Sequence, residues 1–312
     1  MSTVKNYLSL IKFSHTIFAM PFALIGFFLG TAEFNKDVHI GLYQNINHPA
    51  FHLGHESWTI DYLLKTFFLV ILCMIFARSA AMAFNRYLDR NFDAKNPRTA
   101  IREIPKGIIS ANSALSFTIV SCVLFLVCCF FINPICFYLS PVALFVVLFY
   151  SYTKRFTPLC HLVLGVGLSL APIGAYLAVT GAFALLPILF SCTVIFWVSG
   201  FDIIYALQDE DFDRSNQLYS MPSWLGKSKA LRVSEFLHFL SFLCVITAGI
   251  IGGFGLWYWI GVSVFTGMLI YQHSLVKPND LSKVNLAFMT ANGIASVVFA
   301  VFVITDLFVH GG

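Results

Sequence analysis

Apolar and polar positions along this chain segregate into long blocks. A bilayer-spanning helix takes about 20 residues, and predominantly apolar runs of that length recur from end to end. They predict nine transmembrane helices, at about 13–32, 62–84, 110–132, 134–152, 160–181, 183–208, 229–253, 255–276 and 284–308. The breaks at Asn133-Pro134, near Gly181 and near Gly255 are short. The connections after the second, sixth and, less so, eighth runs are longer and polar. The expected class is therefore all-α and polytopic, folded as one domain over residues 1–312 and embedded in a lipid bilayer.

Composition agrees with the blocks. Of 312 residues, 58% are apolar and 11% charged, with a mean hydropathy of +0.81, whereas about a quarter of an ordinary soluble chain is charged. A net charge of +4 gives no ground for a nucleic-acid partner. The eight Cys sit inside apolar runs with no C-x-x-C pair, so they read as small apolar fillers without a disulfide framework. The N-terminal run lacks the A-x-A exit of a cleaved signal peptide.

The distribution of charge is more informative than its sum. Lys5 and Lys12 precede the first run, and Arg86, Arg90, Lys95, Arg98, Arg102 and Lys106 follow the second. Lys154 and Arg155 follow the fourth, Arg214, Lys227, Lys229 and Arg232 the sixth, and Lys277 and Lys283 the eighth. The other side holds little more than Lys36 and Lys65. Such a bias places the N-terminus and the even-numbered connections in the cytoplasm and the C-terminus outside. The outer connection, roughly 33–61, carries His39, His48, His52, His55 and Trp58. With no companion carboxylate or Cys pattern, these His read as solvated loop residues.

Two cytoplasmic stretches carry candidate chemistry. Asn85, Asp89 and Asp93 recur every fourth residue just past the second apolar run, so a helix stacks them on one face. Tyr205, Asp209 and Asp213 repeat that spacing 120 residues later, at the end of the sixth run. The offset spans four helices, so the second and sixth helices hold corresponding places in two halves. Brought together, four carboxylates would repel one another unless divalent metal and a diphosphate neutralised them, as Mg²⁺ bound to carboxylates and substrate phosphates does. Arg98, Arg102, Lys154 and Arg155 are the bases available to assist. Asp202 and Arg78 lie deeper in their helices, where an ionisable group is costly and points to function. A metal-bound diphosphate beside a greasy helical cavity suggests chemistry on a lipid diphosphate, with the metal improving the leaving group and the apolar bundle shielding a carbocation.

These residues resemble a known family, the UbiA superfamily of intramembrane prenyltransferases. The matching segments are N-R-Y-L-D-R-N-F-D-A-K-N-P-R-T-A-I-R over 85–102, Y-S-Y-T-K-R-F-T over 150–157 and D-I-I-Y-A-L-Q-D-E-D-F-D over 202–213. The resemblance implies nine transmembrane helices around a central cavity, with Mg²⁺ and prenyl diphosphate at its cytoplasmic end. It implies that Asn85, Asp89, Asp93, Asp209 and Asp213 hold the metal, and that Arg98, Arg102, Lys154, Arg155, Asn85 and Tyr205 bind the diphosphate. Arg78 would bind an acceptor carboxylate, and Asp202 would orient or deprotonate the acceptor, with Asp89 and Asp209 also catalytic. The run after Asp93 looks most like the branch acting on 4-hydroxybenzoate and on related hydroxynaphthoates of the futalosine route. The implied partners are a polyprenyl diphosphate, an aromatic acceptor and the bilayer, in ubiquinone or menaquinone synthesis. A protoheme IX farnesyltransferase is the alternative within the superfamily. An ion-coupled transporter is the alternative outside it, although transporters place their binding groups nearer the bilayer midplane.

Overall fold

The structure, a computed structural model, describes residues 3–11, 18–40 and 56–310. Its long helices are α2 (Met20–Ile40), α3 (Glu56–Lys95), α4 (Ala111–Ile132), α5 (Pro134–Thr153), α6 (Cys160–Thr180), α7 (Leu185–Ala206), α10 (Lys227–Gly252), α11 (Leu256–Leu275) and α12 (Asn292–His310). Shorter helices are α1 (Thr3–Leu10), α8 (Glu210–Ser215) and α9 (Met221–Leu225), with a 3₁₀ turn at Leu207–Asp209 and a π-helical turn at Leu286–Ala291. The fold is all-α, as the blocks predict.

Among the described residues, seven helices are long and apolar enough to cross a membrane. A helix occupies each of the nine predicted places, yet two fall short of that criterion. The apolar part of α2, Met20–Glu33, is short, and α11 carries Gln272 and His273, together with Trp257, Tyr258, Trp259 and Tyr271, whose polar atoms lower its hydropathy. Sequence reasoning also missed α1, whose buried Leu10 packs with Ala83, Ile109 and Ala114. His48, His52 and His55 lie outside the described residues, as do the side chains of His39 and Trp58.

Local chemistry explains the helix ends. Ser110 accepts from Ser113 N–H at 3.0 Å and caps α4. Asn133 caps α5 by accepting from Cys136 N–H at 2.9 Å, while its amide donates to Leu177 O at 2.8 Å. Gly181 ends α6 at φ 67°, a conformation costly to a side chain. The N-terminus of α11 is capped from another helix: buried Asp306 accepts from Gly255 N–H at 2.8 Å and Tyr258 N–H at 3.2 Å.

Aromatic side chains form the centre. Phe22, Phe190, Trp197, Tyr258, Phe265 and Phe299 are fully buried together, between α2, α7, α11 and α12. Small residues bring helices close: a Cβ on Gly26 would lie 2.0 Å from Pro172 O, and one on Gly165 2.5 Å from Ile195 O. The outer surface is also apolar, with Phe68, Phe130, Phe145, Phe236, Ile250 and Ile270 exposed. Helices greasy on both faces suit lipid. Because the helices alternate in direction, the short α4–α5, α6–α7 and α10–α11 turns share one end. The polar connections share the other.

Candidate active site

At the polar end, α3 runs past its apolar stretch to Lys95, so Asn85, Asp89 and Asp93 ride on one continuous helix as expected. The second ladder does not. After Tyr205, α7 gives way to the 3₁₀ turn carrying Asp209, and α8 restarts to carry Asp213. The two ladders still face one compartment of about 530 Å³, lined by Asn85, Asp89, Asp93, Tyr205, Asp209 and Asp213 together with Arg98, Arg102 and Lys154.

Each of the four carboxylates meets a base. Arg98 grips Asp209 with two nitrogens, Nε to Oδ1 at 3.0 Å and Nη2 to Oδ2, and donates from Nη1 to Tyr205 OH at 2.9 Å. The Asn96 amide adds a bond to Asp209 Oδ1 at 3.0 Å. Arg102 Nη1 lies 2.6 Å from Asp93 Oδ1, Lys154 Nζ 2.7 Å from Asp213 Oδ1, and Arg155 Nη2 2.8 Å from Asp89 Oδ1. Asn85 donates to Asp89 Oδ2 at 3.1 Å. Three of these ion pairs join segments far apart in sequence, so the bases tie the two halves together. Four acids against four bases leave the array formally neutral, which removes the repulsion that the sequence alone suggested.

Burial by itself would lower the Arg98 and Lys154 pKa values. The hydrogen-bonded Asp209 carboxylate outweighs burial at Arg98, and Asp213 outweighs it at Lys154, so both bases sit above their ordinary values and stay charged. Lys154 is held in place by its own backbone, since its carbonyl accepts from Tyr219 N–H at 2.7 Å. Asp213 is fully buried and also accepts from Ser220 Oγ at 3.0 Å. Asp93 Oδ2 is buried with no hydrogen-bond partner among the described residues. Among the described residues, no three His, Cys, Asp or Glu gather closely enough to hold a metal by themselves.

Below this array the compartment narrows to Arg78, Met82, Tyr150, Leu164 and Leu168, which it shares with a second cavity of about 400 Å³. That second cavity is almost wholly apolar, lined by Val70, Met74, Ile132, Leu139, Leu177 and Phe183 among others. The charged layer thus opens onto a greasy one. Asp202 lines the polar compartment one turn deeper than Tyr205, as the sequence predicts. Sequence reasoning gave no role to its partner His161, whose Nδ1 lies 2.7 Å from Asp202 Oδ2. Nor did it give a role to Arg86, or to Tyr150 of the matched segment 150–157, both of which line the same compartment. Arg86 is 5% exposed, and among the described residues its Nε has no hydrogen-bond partner. Only its unbroken run with the ladder could have flagged it.

Comparison with known proteins agrees with this architecture. A family model described as "UbiA prenyltransferase family" matches residues 52–294. A curated relative from Nitrosomonas europaea, 4-hydroxybenzoate octaprenyltransferase, is 31% identical over 76% of this chain and 81% of its own. The apo structure of a UbiA homolog from Aeropyrum pernix K1 superposes with a TM-score of 0.74 at 26% identity, covering 95% of this chain and 98% of that one. A UbiA homolog from Archaeoglobus fulgidus, solved bound to GPP and Mg²⁺, shares the fold at a TM-score of 0.68 and 18% identity, covering 97% and 99%.

Proposed function

The chain belongs to the UbiA prenyltransferase family, and from that premise we propose that it moves a polyprenyl group from a polyprenyl diphosphate onto an aromatic carboxylic acid. The acceptor is 4-hydroxybenzoate or a related hydroxy-aromatic acid, and the product serves quinone synthesis. The observation that carries this proposal is the joining of a charged compartment to an apolar one through Arg78, Met82 and Tyr150. A substrate with a polyanionic head and a long hydrocarbon tail matches that profile. The name of the Nitrosomonas relative supports the acceptor class, and the ligands of the Archaeoglobus homolog support the donor and the metal.

The residues present fit Mg²⁺. Hard carboxylate oxygens converge on one compartment, and buried Asp93 Oδ2 still has a free lone pair. Asp89, Asp93, Asp209 and Asp213, with Asn85, would hold the ion, which when bound neutralises the diphosphate and improves it as a leaving group. Arg98, Arg102, Lys154 and Arg155 already sit beside these acids, and we assign them, with Tyr205, to the diphosphate oxygens. Arg78, at the boundary of the two compartments, holds the acceptor carboxylate. There the prenyl C1–O bond breaks, its electron pair leaves with diphosphate, and a ring carbon ortho to the phenol oxygen forms the new C–C bond. Asp202 takes the ring proton, and the apolar lining keeps water from the prenyl cation. The charged end faces the cytoplasm of the inner membrane, an orientation supported by the excess of basic residues in the connections at that end.

The test is direct. Protein in detergent or nanodiscs is incubated with Mg²⁺, a labelled prenyl diphosphate and a panel of aromatic acids, and products are identified by mass spectrometry. Asp89→Asn and Asp209→Asn are each expected to cut kcat by about 10²-fold or more. Unchanged turnover in both variants would refute the metal–diphosphate assignment.

A further inference from the structure

We infer that His161 is a positioning residue for the acceptor base: it holds Asp202 in one orientation through a fixed tautomer and never carries the proton itself. The inference rests on the role proposed above for Asp202. Its independent support is the hydrogen bonding at both ring nitrogens. His161 Nε2 accepts from Met221 N–H at 3.2 Å, so that nitrogen carries no proton. The ring proton of the neutral form therefore sits on Nδ1 and is donated to Asp202 Oδ2 at 2.7 Å.

Both ends of this bridge are rigid. His161 is 3% exposed in the first turn of α6, and Met221 opens α9, whose cap Ser220 also donates to Asp213. Asp202 is different: a quarter of its side chain remains exposed in the polar compartment. Among the described residues, its Oδ1 has no hydrogen-bond partner. One carboxylate oxygen is thus pinned and the other presented to the substrate. When the ring carbon gives up its proton, the C–H bond breaks, its electrons restore the aromatic ring, and the proton goes to Asp202 Oδ1. His161 keeps Nδ1–H throughout, because Nε2 is blocked by the Met221 amide. This arrangement is a base oriented by a third group, with histidine in the orienting place.

The experiment compares His161→Ala, His161→Gln, Asp202→Asn and the double variant His161→Ala/Asp202→Asn, each checked for a wild-type-like thermal midpoint. A glutamine amide can donate to Asp202 while its oxygen accepts from Met221 N–H. The expected result is a kcat about 10-fold or more lower in His161→Ala, an unchanged KM for the prenyl diphosphate, and partial rescue in His161→Gln. The double variant should be no slower than Asp202→Asn, since removing a positioning residue costs nothing once its base is gone. Wild-type kcat in His161→Ala, a double variant slowed by the product of the single effects, or a folded His161→Gln no faster than Ala would overturn the inference. Should His161→Ala fail to fold, the Gln variant decides alone: kcat between wild type and Asp202→Asn with unchanged donor KM supports it, and any other result does not. Wild-type kcat in Asp202→Asn would instead refute the role of Asp202, and absence of product from wild-type protein would refute the proposed reaction.

Discussion

Arg86 stands in surroundings that run against its chemistry. A guanidinium 5% exposed, with Nε unbonded and no carboxylate within ion-pair distance among the described residues, carries a desolvation cost of several kcal/mol. Its neighbour Asp93 is engaged by Arg102 instead. A charge kept under those conditions is suited to an anion that arrives from the compartment it lines. Arg86→Met should therefore fold with an unchanged or higher thermal midpoint, while KM for one of the two anionic substrates rises about 10-fold. A 10-fold rise is about 1.4 kcal/mol, the lower end of what one hydrogen bond to a charged group contributes. Steady-state kinetics with each substrate varied in turn would show it. The contrast with Asp89 and Asp93 shows what sequence can reveal at this scale. Their importance is written in a spacing, which a helix converts to a face. That of Arg86, like that of His161, depends on which groups stand opposite after folding, and no local pattern encodes it.

At the scale of elements, the pattern located the helices well because lipid imposes one length and one polarity on them. It failed where side chains from distant segments reshape the backbone. The π-helical turn at Leu286–Ala291 is such a place. Asn292 donates to Ala287 O at 3.1 Å and Phe288 O at 3.0 Å, and its Oδ1 accepts from Trp197 Nε1 at 2.9 Å. The turn sets Phe288 against Tyr205, with ring centroids 4.2 Å apart, behind the tyrosine whose hydroxyl meets Arg98. Insertions of this kind are common beside functional sites. Asn292→Ala leaves buried Trp197 Nε1 without its acceptor, at a cost of about 1–3 kcal/mol. Its thermal midpoint should fall, and its KM for the prenyl diphosphate should rise as Tyr205 loosens. The broken second ladder has the same lesson. Its spacing matches the first, yet Asp209 sits on a 3₁₀ turn, where Arg98 and Asn96 hold it.

For the whole molecule, sidedness and the two joined compartments make separate claims. With native cysteines replaced, Ser282→Cys should react with an impermeant maleimide only from the cytoplasmic side, and Ala182→Cys only from the other; both positions are exposed, on opposite ends of the bundle. On the proposed function, the apolar cavity would set how much of the prenyl tail the protein encloses. Gly174 lines it, and a Cβ there would meet nothing within 4 Å. Gly174→Leu should fold normally and shift product length, by mass spectrometry across donors of increasing size, toward shorter chains. Sequence could predict that a greasy cavity exists, since the ladders end where apolar helices begin. It could not size the cavity, because volume comes from how four helices, α3 to α6, lean together. The apolar lining has one more consequence. A membrane that stores energy as an ion gradient cannot tolerate a wet polar hole through half its thickness. Between the charged compartment and the opposite face stand Val70, Ile132, Leu139, Leu177 and Phe183. An unpaired ion crossing such a layer faces a barrier of many kcal/mol. The same hydrocarbon surface that would accommodate a tail therefore works as electrical insulation between the charged compartment and the opposite face of the membrane.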